Sequence, residues 1–264
     1  MIRFAILGSG SSGNAYIIGN STDALLIDAG FSLKQLKMRS ESVGFDFSTV
    51  RALCITHLHP DHGRSAGVFA RKTGKEVYVH EQLYQTAAYE LHALGIPEPQ
   101  LRLFTHGKTF QTGPFTVTAF PTSHDSPSSS GFVVQIQQRV FTILTDTGML
   151  DDQMHRYAQA SDVLFLESNY DEQMLDTGPY PVMLKRRIKG KSGHLSNTDA
   201  LHLLNGCAAT HLSQVYFCHL SKTNNRPEMI TSLCARELRY TGSWTVCEHG
   251  QLYHGSIAPG GADV

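Results

Sequence analysis

The sequence is short of charge, of paired cysteines and of long apolar runs. Only 17% of its 264 residues are Asp, Glu, Lys or Arg, too few for a disordered polyelectrolyte or a solvated coiled coil. Its 22 Lys and Arg are balanced by 23 Asp and Glu, for a net charge of −1. That excludes a globally basic nucleic-acid coat but not a local basic patch. The five cysteines, Cys54, Cys207, Cys218, Cys234 and Cys247, form no C-x-x-C pair. A disulfide framework or Cys-rich zinc ribbon is therefore not expected, and a reducing cytoplasm fits. The apolar run Ile2–Leu7 is too short for a signal h-region or a membrane span. The chain thus reads as soluble and cytoplasmic, with no membrane partner. With 41% hydrophobic residues, a single domain over residues 1–264 around one large core is expected.

Ile-, Leu- and Val-rich segments predict strands at 3–7, 15–18, 24–28 and 52–56, with a helix over 34–43 between the last two. Helices at 65–72 and 81–94 flank a strand at 77–80. The middle is β-rich, at 115–120, 132–137, 140–145 and 163–167. The last third predicts helices at 183–188, 198–204 and 227–240, a strand at 214–218 and two short strands after Trp244. Strands grouped with helices in each half predict an α/β chain of two packed sheets covered by helices. Gly8-Ser9-Gly10-Ser11-Ser12-Gly13 matches the dinucleotide fingerprint G-x-G-x-x-G, with Asp28 twenty residues after Gly8. A pyrophosphate site needs a helix next. Ala15–Ile18 reads instead as a β-branched strand, so the glycines predict a tight loop between antiparallel strands.

The strongest signal is His57-Leu58-His59-Pro60-Asp61-His62, directly after a predicted strand. Pro60 disfavours helical geometry at His59, so His57 and His59 project to the same side, two residues apart. Two imidazoles at one strand end can share a metal. Asp61 and His62 come as a helix begins and can serve a second position. His124, Asp146 and His219 each follow a predicted strand. They add three loop-borne ligands, and an aspartate can bridge two metals because each oxygen can take one.

These residues resemble the metallo-β-lactamase superfamily, whose sequences carry H-x-H-x-D-H and then a lone His, an Asp and a last His. The resemblance implies a four-layer αβ/βα sandwich, two mixed β-sheets flanked by helices. It implies His57, His59 and His124 on one divalent ion, Asp61, His62 and His219 on a second, and Asp146 bridging them. Asp28 matches an early strand-end Asp that supports the loop from outside the ligand set. A narrower resemblance, to the YycJ/WalJ family, is carried by Leu7–Asn14, Leu164–Asp171, Gly193–Asn197 and His219–Asn225. It implies a nuclease on DNA phosphodiesters, an exonuclease working from 5′ ends.

A metal-bridged hydroxide attacking phosphorus leaves an alkoxide that needs a proton. The phosphodiesterase branch of the superfamily, resembled here by Glu167 and His194-Leu195-Ser196, meets that need beside Asp61. His194 is the expected phosphate binder and leaving-group acid, Glu167 its orienting carboxylate, and Ser196 a further substrate contact. Lys185, Arg186, Arg187, Lys189 and Lys191 put five cations in seven residues before that loop. Such a run is usually a solvated helix face. Its position favours phosphate contact through Arg186, Arg187 and Lys189. His80, His92, His106, His155, His202, His211, His249 and His254 are read as ordinary surface or core histidines.

Zn²⁺ and Mn²⁺ both suit the His/Asp set. Nucleic acid is the expected partner, DNA ahead of RNA, with homo-oligomerisation left open. Three competing readings remain: a thioester, lactone or β-lactam hydrolase, an RNA-processing nuclease, and a non-catalytic metal-binding module. Thr122-Ser123-His124-Asp125-Ser126 departs from the Pro-Gly-His-Thr-x-Gly surround of glyoxalase-type members. A binding module would have no need of a proton donor.

Overall fold

The computed structural model describes residues 1–260. Among them are fourteen strands and ten α-helices in an α/β arrangement of two mixed β-sheets flanked by helices. No helix among the described residues is long and apolar enough to cross a membrane. The chain divides into two compact units. One contains Met1–Pro121, Ser126–Arg139 and the segment from Gly250; the other contains Thr122–Asp125 and Val140–His249.

The first unit is built on β1 (Ile2–Gly8), β2 (Ala15–Gly19), β3 (Ala24–Ile27), β4 (Val50–Cys54), β5 (Glu76–His80) and β6 (Leu101–Phe104). β1, β2 and β3 pair antiparallel, whereas β3 to β6 pair in parallel. The chain's last strand, Tyr253–Ile257, closes the sheet antiparallel to β1. A meander of β7 (Thr109–Thr112), β8 (Phe115–Pro121) and β9 (Ser130–Ile136) belongs to the same unit.

The parallel connections carry α1 (Leu33–Ser42), between β3 and β4, and α2 (Pro60–Gly63) with α3 (Ala66–Thr73), between β4 and β5. Two short helices, α4 (Leu83–Thr86) and α5 (Ala88–Ala93), precede β6. α1 opens on a capping box in which the Ser32 hydroxyl accepts from the Gln35 N–H and the Gln35 side chain returns to the Ser32 N–H. Leu36, Leu53, Val77 and Phe69 are shut from solvent in the core, each contributing on the order of 1.5–3 kcal/mol. The expected helix 81–94 breaks at Ala87, whose backbone leaves the helical region (φ −147°, ψ 40°). The Gly8–Asn14 loop joins antiparallel strands as its sequence predicts, with Gly13 in a positive-φ conformation.

In the second unit β10 (Arg139–Leu144), β11 (Val163–Glu167), β12 (Gln214–Cys218) and β13 (Ser243–Val246) run parallel. β11 is buried throughout, so it reads as a continuous apolar run, as central parallel strands do. Around these strands lie α6 (Asp152–Gln159), α7 (Glu172–Thr177), α8 (Val182–Lys189), α9 (Asn197–Asn205) and α10 (Pro227–Glu237). Asp151 and Asp171 cap α6 and α7 by accepting from the N–H groups of Met154 and Met174, both at 2.8 Å.

His80 and His106 in the first unit lie with ring centroids 4.0 Å apart, and His106 Nε2 is 2.8 Å from the Ser130 hydroxyl. Burial first, then neighbouring His80, pulls His106 down to about 4. Unfolded histidine titrates near 6.5, so the unfolded chain binds more protons between those values. Stability at this site is therefore present above about pH 6.5 and lost as pH falls toward 4. The urea midpoint should drop between about pH 7.5 and about pH 5, and His106→Gln should flatten that drop. An unchanged pH dependence in the variant would show that His106 contributes none of it.

Candidate metal centre

In the first unit the His57–His62 loop leaves the end of β4. His59 is extended (φ −56°, ψ 144°), the conformation a following proline favours, and Pro60 opens the single-turn α2. His57 Nε2 lies 3.0 Å from His59 Nδ1, and the His57 and His62 ring centroids are 4.1 Å apart. Asp28 sits behind this loop, wholly buried, with its backbone left-handed at φ 62°. It accepts from the Thr56 N–H at 2.8 Å and from the Thr56 hydroxyl, while His62 Nδ1 donates to it at 2.7 Å. Burial pushes the Asp28 carboxyl above its ordinary range, with the His62 charge acting in the other direction. The carboxylate fixes the orientation of the His62 ring and leaves Nε2 as its lone-pair nitrogen.

Asn14, to which the sequence pattern assigns no role, belongs to the same cluster. Its Nδ2 is 2.9 Å from His62 Nε2 and 3.3 Å from Asp61 Oδ2, and its Oδ1 accepts from the Gly10 N–H at 2.7 Å. Its own N–H donates to the Asp61 carbonyl at 2.7 Å. The glycine-rich loop therefore braces the histidine loop. The usable signal was a lone amide residue closing a Gly/Ser turn beside a buried strand. Gly30 shares this packing: a Cβ there would lie 1.8 Å from the Asp61 carbonyl oxygen and 2.7 Å from the Asn14 nitrogen. Gly30→Ala should cost about 1–3 kcal/mol or more and impair metal retention, because backbone must move. Gly74→Ala, at φ 67° with open space around it, should cost only the left-handed strain of about 1–2 kcal/mol and spare metal content. Equal metal retention and equal melting in the two variants would overturn the bracing role.

In the second unit His124 Nδ1 donates to the Gly193 carbonyl at 3.1 Å, leaving Nε2 as the lone-pair nitrogen. Asp146 follows β10 and His219 follows β12, both left-handed at φ 57° and φ 58°. Asp28, Asp146 and His219 thus share a costly backbone conformation at strand ends, a pattern typical of functional sites. Asp146 Oδ1 lies 3.8 Å from His124 Nε2, 3.7 Å from His194 Nδ1 and 3.5 Å from His219 Nδ1. Asp146, Glu167, His194 and His219 each bring a potential ligand atom within 4.8 Å of the others.

Glu167 is fully buried at the end of β11. Its Oε1 accepts from His194 Nδ1 at 2.7 Å and from His219 Nδ1 at 3.0 Å. Its Oε2 accepts from the N–H groups of Thr147 at 2.8 Å and Leu195 at 3.3 Å. Four donors occupy this carboxylate, so it orients the two imidazoles. Burial alone would raise its pKa, but the charge and hydrogen bond of His194 and the bond from His219 outweigh that and lower it. His194 is pulled down by burial and up by the Glu167 charge and hydrogen bond, and stands above its ordinary value. Asn169, to which the sequence reading gave no role of its own, donates to the His219 carbonyl at 2.8 Å.

Ser196 differs from its expected role. It is buried and caps α9, its hydroxyl accepting from the Asp199 N–H at 3.1 Å and lying 2.8 Å from the Asp199 carboxylate. Its hydroxyl is thus already engaged at the start of α9. The basic run forms α8 and the turn after it. Arg186 is exposed; Arg187 and Lys189 are ion-paired with Asp125 and Asp176.

Imidazoles and carboxylates with second ring nitrogens already fixed are the donor set a divalent cation needs. A beta-lactamase superfamily domain matches residues 24–220, a stretch that includes every expected metal ligand. The chain belongs to the metallo-β-lactamase superfamily. It is an enzyme of that hydrolase superfamily. Among curated relatives it is 33% identical over 227 residues to exodeoxyribonuclease WalJ of Streptococcus pneumoniae serotype 2, covering 86% of this chain and 84% of that protein. It is 31% identical over 242 residues to exodeoxyribonuclease YycJ of Bacillus anthracis, covering 91% and 90%. Among solved structures it resembles the metallo-β-lactamase fold protein YhfI of Bacillus subtilis, at a TM-score of 0.73 and 17% identity over 96% of this chain and 99% of that one.

Proposed function

We propose that this metallo-β-lactamase-superfamily member is a metal-dependent DNA exonuclease acting from 5′ ends. The reading assigns His57, His59 and His124 to one divalent ion, Asp61, His62 and His219 to a second, and Asp146 to both, with Zn²⁺ or Mn²⁺ as the occupant. When bound, such ions polarise phosphoryl oxygens and acidify water. The chain's own residues supply the rest. Asp28, Thr56 and Asn14 hold the histidine loop, and Glu167 orients His194 and His219.

The observation that carries the reading is the Glu167–His194 pair, 2.7 Å apart. Burial disfavours the charged His194 ring, but the Glu167 charge and hydrogen bond outweigh it and raise its pKa, which favours the doubly protonated form. With Nδ1–H spent on Glu167, Nε2–H is left to protonate an alkoxide. A thioester would release a thiolate, which leaves without such a donor, whereas a lactone would release an alkoxide that needs one. The names of the curated relatives support DNA as the substrate and exonucleolytic cleavage. Arg186, Arg187 and Lys189 are assigned to the nucleic-acid backbone, the last two by exchanging their present acidic partners for phosphate.

The deciding experiment is purified protein on 5′-labelled duplex DNA, single-stranded DNA and RNA, with Zn²⁺ and Mn²⁺ in turn. Release of the label as mononucleotide from DNA supports the reading. Release of unlabelled mononucleotides from the other end reverses the polarity. Inactivity on all three, with turnover of a thioester or lactone, overturns the reading.

A further inference from the structure

A pocket of about 220 Å³ opens immediately after His219, formed wholly within the second unit by residues 220–227 and 248–249. We propose that it is a subsite for one backbone phosphate of the nucleic-acid substrate, held by Lys222 and Arg226 and independent of base identity. The inference rests on the nuclease reading and adds where the strand is gripped.

Lys222 and Arg226 are exposed and line the pocket together. The opposing charge there is Glu248. α10 begins at the same pocket with Pro227 in its first turn and no side chain capping it. The positive end of an eleven-residue helix thus adds to the two cations.

The lining contains no Phe, Tyr or Trp, so it lacks the aromatic platforms on which bases stack. Its volume is also below the roughly 300–1,000 Å³ of small-molecule sites. A phosphate with part of its sugar suits this space better than a whole nucleoside.

The pocket is also rigidly tied to the proposed acid. Asn225 Nδ2 donates to the Ser168 carbonyl and to Asn197 Oδ1, both at 2.8 Å. Asn225 Oδ1 accepts from Asn197 Nδ2 at 3.0 Å and from the Arg226 N–H at 2.9 Å. Ser168 directly follows Glu167, and Asn197 opens α9 three residues after His194. This buried amide pair fixes the Arg226 backbone against the segments carrying Glu167 and His194. A phosphate seated here would therefore set the register of the strand, which is what a positioning contact requires.

The test is Lys222→Ala/Arg226→Ala in the metal-loaded enzyme. On a single-stranded oligodeoxynucleotide, KM should rise by about tenfold or more for each of the two charge-assisted contacts removed. The salt dependence of binding should become shallower by about 0.7 in log–log slope for each phosphate that is no longer neutralised. Hydrolysis of bis(p-nitrophenyl) phosphate and metal content should stay as in wild type, because that substrate does not reach the pocket. Glu248→Gln should act in the opposite sense and tighten oligonucleotide binding. If wild type cleaves DNA and the double variant keeps its KM and salt slope, the subsite is overturned and the nuclease reading stands. Wild-type protein that neither binds nor cleaves DNA overturns both. Sequence-dependent losses across homopolymers would overturn the base-independent form of the proposal.

Discussion

Replacing Asp146 by alanine is expected to remove at least one divalent ion and to abolish hydrolysis. Its Oδ1 lies within 3.5–3.8 Å of nitrogens on His124, His194 and His219. A lost outer-shell partner typically costs 10–100-fold in metal affinity, so a shared inner ligand should cost more than about 100-fold. Backbone conformation gives a control. Asp146 is left-handed at φ 57°, which costs a residue with a Cβ about 1–2 kcal/mol. Asp146→Gly relieves that strain while removing the same carboxylate. It should therefore melt higher than Asp146→Ala yet be equally poor in metal. Metal analysis after dialysis, beside thermal melts, separates the two effects. Two ions fully retained with wild-type turnover would falsify the bridging assignment.

The ligand-bearing strands were legible because each is a compact apolar run broken by a polar residue. β3, β4, β10, β11 and β12 all lie within a few residues of their expected positions. Their inner residues are buried, which is why sequence pattern and fold agree there. The missed strands β6 and β7 are four residues each and mostly half-exposed or exposed, so burial imposes little pattern on them. α6 and α7 were missed although α3 and α8, of eight residues like α6, were found, so length alone is not the reason. Their starts were nonetheless marked by Asp151 and Asp171, which cap them. At the candidate site, residues could be nominated from the sequence, but their backbone conformation could not be read there. Nothing in an Asp or a His announces the left-handed turns at Asp28, Asp146 and His219. Asn14 and Asn169 lie in segments that carry the family resemblance, but their roles could not be read there: amides act by position, and their position depends on contacts distant in sequence. Ser196 shows the converse, since a serine in a candidate active-site motif is occupied by the helix it starts.

His194→Ala should slow phosphodiester cleavage by about 10²–10⁴, the usual worth of a general acid, while metal content stays at the wild-type level. The loss should shrink on a substrate with a nitrophenolate leaving group, which departs without a proton. The pH dependence follows from the two shifted groups. His194 stands above its ordinary value because the Glu167 charge and hydrogen bond outweigh the downward pull of burial. The acid form therefore persists to higher pH, and the rate should fall only as pH rises through that raised value. Glu167→Gln removes the charge, so the falling limb should move to lower pH. Because Glu167 Oε1 also holds His219 at 3.0 Å, this variant should lose metal affinity by about 10–100-fold as well. His194→Ala should not. An equal rate loss on good and poor leaving groups would make His194 a positioning residue. Loss of an ion in His194→Ala would make it a ligand, in keeping with its place among the four potential ligand residues around Asp146. A limb that stays in place in Glu167→Gln would sink the pairing of the two as acid and orienting carboxylate.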